Sequence, residues 1–501
     1  MTAAIDRRAL MLAGLSGALA PTLAQAAPDP GAPIAAAALQ GDVDILQRAF
    51  TALHPGLLRY NTPEEIADRF AALRRAFAAP KRLAEAHLSL ARLTGTVRCG
   101  HTYLNPYNQE GASKALIAGG RSRLPFNFAW IERRMIVIEP SPAHPALVRG
   151  AEVTAIGGAP VGAILDQLLP FAPADGHNDA KRVRLMEVRG EDEWELFDIY
   201  FALLRPDLVR DGTADLTMRG PDGAERRVRV QLLTRAERTA GVKPGVVTRG
   251  GAEPAWRMER LANGAGFITM RSWALYDSKW DWRAALNADL DVLADERAPG
   301  LILDLRGNGG GLDCGDVILS RLVDRDVRQS DLQRFVRYRR TPADLDRYLD
   351  TWDNSFRDWG AAAKGPDAQG FYRLVRYDDD AAGDLIRPSG KRFKGKVIAL
   401  IDASNSSATF NFAETLKTNG LGVLVGGTTG GSRRGINGGA FFFLRLPGSG
   451  LEVDVPLIAT FPTRPQPDAG VEPDVRALPT AQDIAEGRDP ARTAALALLG
   501  A

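Results

Sequence analysis

The chain is 501 residues long, 45% hydrophobic and 25% charged. That length exceeds one ordinary hydrophobic core, so two or three folded domains are expected. Lysine plus arginine number 63 against 61 for aspartate plus glutamate, a near-balance that argues against nucleic acid or another polyanion as partner.

The first 26 residues read as a signal peptide and stand apart from the fold. Arg7 and Arg8 precede an apolar run from Ala9 to Leu15, and Ala24-Gln25-Ala26 offers a small-x-small cleavage site. The run is too short and interrupted to span a bilayer stably. Asp6-Arg7-Arg8-Ala9-Leu10-Met11 resembles a twin-arginine export signal, so a periplasmic or secreted protein without stable membrane insertion is expected.

Residues 27–40, rich in alanine and proline, read as a linker, and helices follow. Val43, Leu46, Phe50 and Leu53 recur at three- and four-residue spacing. Thr62-Pro63-Glu64-Glu65 is a capping box, after which Ile66, Phe70, Leu73 and Phe77 line one face. A third helix over Arg82 to Leu93 packs His87. These elements define a helical domain over residues 27–120.

Between residues 121 and 240 the texture changes to strands. Met135 to Ile138 reads as a strand, as does Gly150 to Gly158 between turns; Ala163 to Leu169 reads as a short helix. After a helical insert between Asp179 and Arg210, a Gly220-Pro221-Asp222-Gly223 turn joins Leu216–Arg219 to Arg226–Leu232. The phrase from Leu147 to Val161 resembles the turn-rich core of a PDZ-like domain, with Gly157 where the usual form has asparagine.

From residue 250 to 480, strands and helices alternate. Gly266–Arg271, Leu301–Leu305, Val397–Ile401 and Val423–Gly426 read as strands; Trp280–Leu293, Asp316–Leu322 and Ala408–Thr418 read as helices. That order implies crossovers and a mostly parallel sheet, with ligands at the carboxyl ends of its strands. Residues 481–501 form a C-terminal tail or helix.

Two loops at such strand ends carry chemistry. Asp304-Leu305-Arg306-Gly307-Asn308-Gly309-Gly310-Gly311 is a glycine-dense nest whose main-chain N–H groups can hold an oxyanion, or else a tight turn with Asp304 and Arg306 as structural ions. It lacks the Gly-Lys-Ser/Thr of a phosphate-binding loop. Asp402-Ala403-Ser404-Asn405-Ser406-Ser407-Ala408 leads from a strand into a helix, where a serine is either a nucleophile or a helix cap. A third candidate, His101, follows a helix in the turn Val97-Arg98-Cys99-Gly100-His101-Thr102. The five histidines show no metal-ligand spacing, so neither metal nor cofactor is expected.

Together, the Asp-Leu-Arg-Gly-Asn-Gly-Gly-Gly run, the Ile401-to-Thr409 segment, Val425-Gly426-Gly427-Thr428-Thr429-Gly430-Gly431 and Gly470-Val471-Glu472-Pro473-Asp474 resemble the S41 peptidases, the C-terminal-processing and tricorn-like family. The resemblance implies an α+β multidomain fold, with a helical unit, a PDZ-like domain and an α/β catalytic domain of ClpP/crotonase type. It implies a serine peptidase acting on peptide or protein substrates, with Ser407 as nucleophile and Ala408 plus Gly309 or Gly310 as oxyanion donors. Where the best-known members carry a lysine base, this chain has Ser432, followed by Arg433 and Arg434, and arginine stays protonated. The histidine-using branch instead implies His101 as base, oriented by Asp468 or, as second choice, Glu472. Rival readings are an amide or ester hydrolase on the same scaffold and an inactive peptide- or lipid-binding protein. Cys99 and Cys314 read as two buried thiols, or as a disulfide tying the His101 turn to the glycine loop.

Overall fold

The computed structural model describes residues 32–241, 252–329, 332–377 and 385–500, so the expected signal peptide lies outside the described residues. The first helix, Ala36–Leu53, starts inside the stretch read as linker. The run Ala35 to Ala38 favours helix, and Leu39 already lies on the face that Val43, Leu46 and Phe50 bury. Thr62 caps the second helix, Pro63–Ala76: its hydroxyl accepts from the Glu65 N–H while the Glu65 carboxylate accepts from the Thr62 N–H. Leu83–Thr96 completes the helical unit and buries His87 beside Leu83 and Leu90.

Residues 126–231 supply an antiparallel sheet, ordered Phe126–Ile131, Arg134–Pro140, Glu152–Ile156, Thr213–Arg219 and Glu225–Gln231. The last hairpin turns at the foreseen glycines, with Arg219 paired to Glu225 and Gly223 at φ 79°. The insert between the third and fourth of these strands includes helices Asp179–Leu185 and Leu196–Leu204. A second antiparallel sheet, not foreseen from the sequence, is built on Asn437–Arg445 and Glu452–Pro462, with Leu332–Val336 alongside. Both sheets share one apolar cluster with the N-terminal helices.

The third sheet is parallel through Val475–Arg476, Val423–Gly426, Lys396–Ile401, Gly300–Asp304 and Gly266–Thr269, with Met258–Arg260 antiparallel at one edge. Its side chains alternate between two cores, as the period of a strand requires. Leu301, Leu303, Val397, Ala399 and Ile401 face the helices Trp282–Asp295, Cys314–Leu322 and Ala408–Thr418. Ile302, Ile398 and Leu400 face Ala491 and Ala495 of helix Pro490–Leu499. The C-terminal segment is therefore a covering layer of this sheet. Among the described residues, no helix is long and apolar enough to cross a membrane.

Candidate active site

The glycine loop and the serine loop leave the carboxyl ends of neighbouring parallel strands, and buried amides join them. Asn405 donates to the Leu305 carbonyl at 2.6 Å and to the Asn308 carbonyl at 3.1 Å, and the Thr409 hydroxyl lies 3.0 Å from the same Asn308 oxygen. Asn308 donates to the Met270 carbonyl at 2.8 Å and accepts the Gly310 N–H at 2.9 Å. Both asparagines are fully buried, so these bonds are expensive to lose. A trans peptide points its N–H opposite its C=O. With the Asn308 carbonyl turned into Asn405 and Thr409, the Gly309 N–H faces away from them, and no hydrogen bond among the described residues occupies it. Gly310 has its N–H engaged; Gly309 is the glycine with a free donor.

Ser407 occupies the capping position of helix Ala408–Thr418, yet its hydroxyl makes no capping bond. Its backbone sits at φ 53°, ψ −129°, a conformation that costs a residue with a side chain roughly 1–3 kcal/mol and persists only where neighbours enforce it. Gly310, at φ 101°, approaches this turn closely: a Cβ built there would lie 2.7 Å from the Ser406 carbonyl oxygen, 2.8 Å from the Ser407 Cβ and 3.0 Å from the Ala408 nitrogen. The Ala408 N–H belongs to the helix's first turn, where partial positive charge favours an oxyanion. Arg306 and Asp304 take the structural role foreseen as the alternative, bonded to each other, with Arg306 also bonded to Asp489.

His101 lies in a turn braced from behind by His54. The Gly56 N–H donates to His54 Nδ1 at 3.1 Å, so the proton of that ring is on Nε2 and is given to Thr102 Oγ1 at 2.7 Å. The His101 ring packs 5.7 Å from the ring of Phe441, and its buried Nδ1 has no hydrogen-bond partner. Burial pushes its pKa below the ordinary imidazole range; the negative charge of Asp175 opposes this and the positive charge of Lys181 adds to it. The neutral ring is the form a general base needs.

The expected contact between Asp468 and His101 is not made. Asp468 Oδ2 lies 2.5 Å from His177 Nδ1, and its carboxylate also accepts the His177 N–H and, at 3.2 Å, the Ser432 hydroxyl. Glu472 accepts the Thr428 hydroxyl at 2.8 Å. The physical reason is the path of this segment. It pairs with residues 429–433, Thr429 N–H to Val471 carbonyl at 3.1 Å and Arg433 N–H to Ala469 carbonyl at 2.9 Å, and so delivers its carboxylates there. The acidic group that acts on His101 is Asp175, buried and accepting the Gly100 N–H at 2.9 Å.

Lys181 is the other residue without a sequence signal. Its Nζ donates to the Ser404 carbonyl at 2.8 Å and to Ser406 Oγ at 3.3 Å, while Asn178 on the same helix start donates to the Thr429 and Gly431 carbonyls. These partners lie more than two hundred residues along the chain, beyond any local pattern. The two cysteines do not form a disulfide: Cys99 accepts from Asn437 Nδ2 at 3.2 Å in one apolar cluster, and Cys314 starts a helix in another.

Residues 264–477 match the family model for Peptidase family S41. No curated protein sequence matches the chain. Among solved structures, mature CPAF complexed with lactacystin aligns over 92% of this chain and 97% of its own, at 16% identity and a TM-score of 0.61. A serine-to-alanine mutant of CPAF aligns over 90% and 94%, again at 16% identity, with a TM-score of 0.60. The photosystem II D1 C-terminal processing protease reaches a TM-score of 0.42 at 16% identity, over 90% of this chain and 96% of its own. The likeness to CPAF is one of fold, and it extends through nearly the whole of both chains.

Proposed function

We propose that this chain, whose residues 264–477 match Peptidase family S41, is a serine peptidase in which Ser407 attacks a peptide carbonyl and is acylated. The observation that carries the reading is the pose of Ser407: a strained, uncapped hydroxyl at a helix mouth, packed against Gly310. His101, kept neutral by burial, takes the Ser407 proton and returns it to the leaving amine. The tetrahedral oxyanion is held between the N–H groups of Gly309 and Ala408. Water then clears the acyl-enzyme. The antiparallel sheet of residues 126–231 acts as the PDZ-like module that captures an extended peptide, an event for which its edge strand Glu225–Gln231 is suited. Export by the N-terminal leader sets the enzyme to work in the periplasm or outside the cell.

The 2.5 Å contact between His177 and Asp468 favours a second reading, in which His177 is the base and Asp468 its orienting carboxylate. A fluorophosphonate probe separates the readings. Labelling of the wild type that vanishes in Ser407→Ala supports the nucleophile. Suppression by His101→Gln but not by His177→Gln supports His101, and the reverse pattern supports His177. Cleavage of a peptide library by the unlabelled wild type, abolished by prior treatment with the probe, distinguishes a peptidase from an esterase.

A further inference from the structure

We propose that Lys181 is a positioning residue for acylation: its ammonium group holds the Ser406 hydroxyl, and Ser406 in turn fixes the Gly309 carbonyl and the loop that supplies the oxyanion donor. The inference rests on Ser407 being the nucleophile and adds a component from outside the 264–477 segment.

The geometry is a relay. Lys181 Nζ lies 2.8 Å from the Ser404 carbonyl and 3.3 Å from Ser406 Oγ, and Ser406 Oγ lies 3.2 Å from the Gly309 carbonyl. An ammonium group has only donors, so at Ser406 it must give a proton to the hydroxyl oxygen, leaving the hydroxyl's own proton for a carbonyl. Ser406 Oγ is also 3.3 Å from the Ser404 carbonyl, but that oxygen already accepts from Lys181, and Gly309 is the open acceptor. With its carbonyl held by Ser406 and its following N–H held by Asn308, the Gly309–Gly310 peptide is fixed at both ends. The orientation of the adjoining Gly309 N–H follows from that.

Lys181 has little freedom to leave. Asn178 pins the start of its helix to the Thr429 and Gly431 carbonyls, and a Cβ on Gly430 would lie 2.7 Å from the lysine stem. The residue is 8% exposed. A neutral amine has a lone pair and can accept the Ser406 proton, which reverses the relay and frees the Gly309 carbonyl. Burial brings the Lys181 pKa down to about 8; Arg184 on its own helix adds to this, while Asp402 in the serine loop and Asp175 ahead of the helix oppose it. His101 in turn feels the lysine's charge.

The test is the pH profile of Ser407 labelling in the full chain by a fluorophosphonate, a phosphonylation with loss of fluoride that reports the same nucleophile and oxyanion donors as acylation. The wild type should lose rate as the pH rises past about 8, where the lysine gives up its proton. Lys181→Met should acylate about tenfold or more slowly at pH 7 and lack that alkaline fall. Ser406→Ala, which leaves the buried lysine in place and keeps the test open if Lys181→Met does not fold, should show the same two changes. The double variant should lose no more than either single one. A lysine that only supports the fold would lower the rate and leave the alkaline fall in place, and that result, or multiplied losses in the double variant, overturns the proposal while leaving Ser407 as nucleophile. Absence of labelling in the wild type overturns the nucleophile reading and this inference together.

Discussion

A methyl group on Gly310 would stand 2.8 Å from the Ser407 Cβ, closer than two such carbons can approach. Gly310 also takes φ 101°, so two separate costs meet at one position. Gly310→Ala should therefore destabilise the protein by about 1–3 kcal/mol in urea unfolding and slow acylation about a hundredfold or more. Gly309 is the control, since nothing lies within 4 Å of a Cβ built there. Gly309→Ala retains the N–H proposed as oxyanion donor and should acylate within about threefold of wild type, with stability changed by less than about 1 kcal/mol. Equal damage from the two substitutions would contradict this division of roles.

The strained backbone of Ser407 predicts a trade between stability and activity. Ser407→Ala and Ser407→Gly should both abolish labelling, but only glycine relaxes φ 53° without penalty. The glycine variant should be more stable than the alanine variant by about 1 kcal/mol in denaturant unfolding, even though glycine is the more flexible residue when unfolded. Equal midpoints would show that the conformation carries no strain.

The parallel sheet and the Ser407 loop were legible because both are written locally. Val397 to Ile401 and Ala408 to Thr418 show their periods within a dozen residues, and the glycines after Asp304 mark a turn on any fold. The hairpin of Asn437–Arg445 and Glu452–Pro462 carries a weaker local signal, the Pro447-Gly448-Ser449-Gly450 turn between two apolar runs. Asp175 and Lys181 had no such signal. Their meaning arises from partners in distant sequence: Gly100 for one, Ser404 and Ser406 for the other. The same limit explains Asp468, which the resemblance implied as an orienting carboxylate while the sequence carried no signal for which imidazole it would meet.

His87 makes stability acid-sensitive. It is 1% exposed, neither ring nitrogen has a partner, and burial pushes its pKa down to about 4. The unfolded chain therefore takes up the proton first as the pH falls. The contribution is complete above about pH 6.5 and is lost progressively down to about pH 4, by roughly 2–3 kcal/mol. His87→Leu removes both buried nitrogens, so it should raise stability at pH 7 and reduce the loss between pH 7 and 4.5 by about 2 kcal/mol. His54 shifts in the same direction, to about 3, and continues to contribute a loss in the variant. Parallel urea titrations at the two pH values measure both effects, and an unchanged slope would refute the assignment.

Asp468 discriminates between the two imidazoles. Asp468→Asn keeps the shape and one acceptor oxygen but removes the charge that faces His177. With His101 as base, the acylation rate at pH 7 should stay within about threefold of wild type. A loss of about a hundredfold or more would transfer the proton-accepting role to His177.

The most direct measurement of the central claim is the single-turnover rate at which a fluorophosphonate phosphonylates Ser407 with loss of fluoride, compared between wild type and His101→Gln at pH 7. Glutamine keeps the bulk against Phe441 and cannot take up a proton at this pH. The account predicts a rate lower by about a hundredfold to ten-thousandfold, with no change in the thermal midpoint larger than a few degrees. Labelling at the wild-type rate in folded His101→Gln would contradict it.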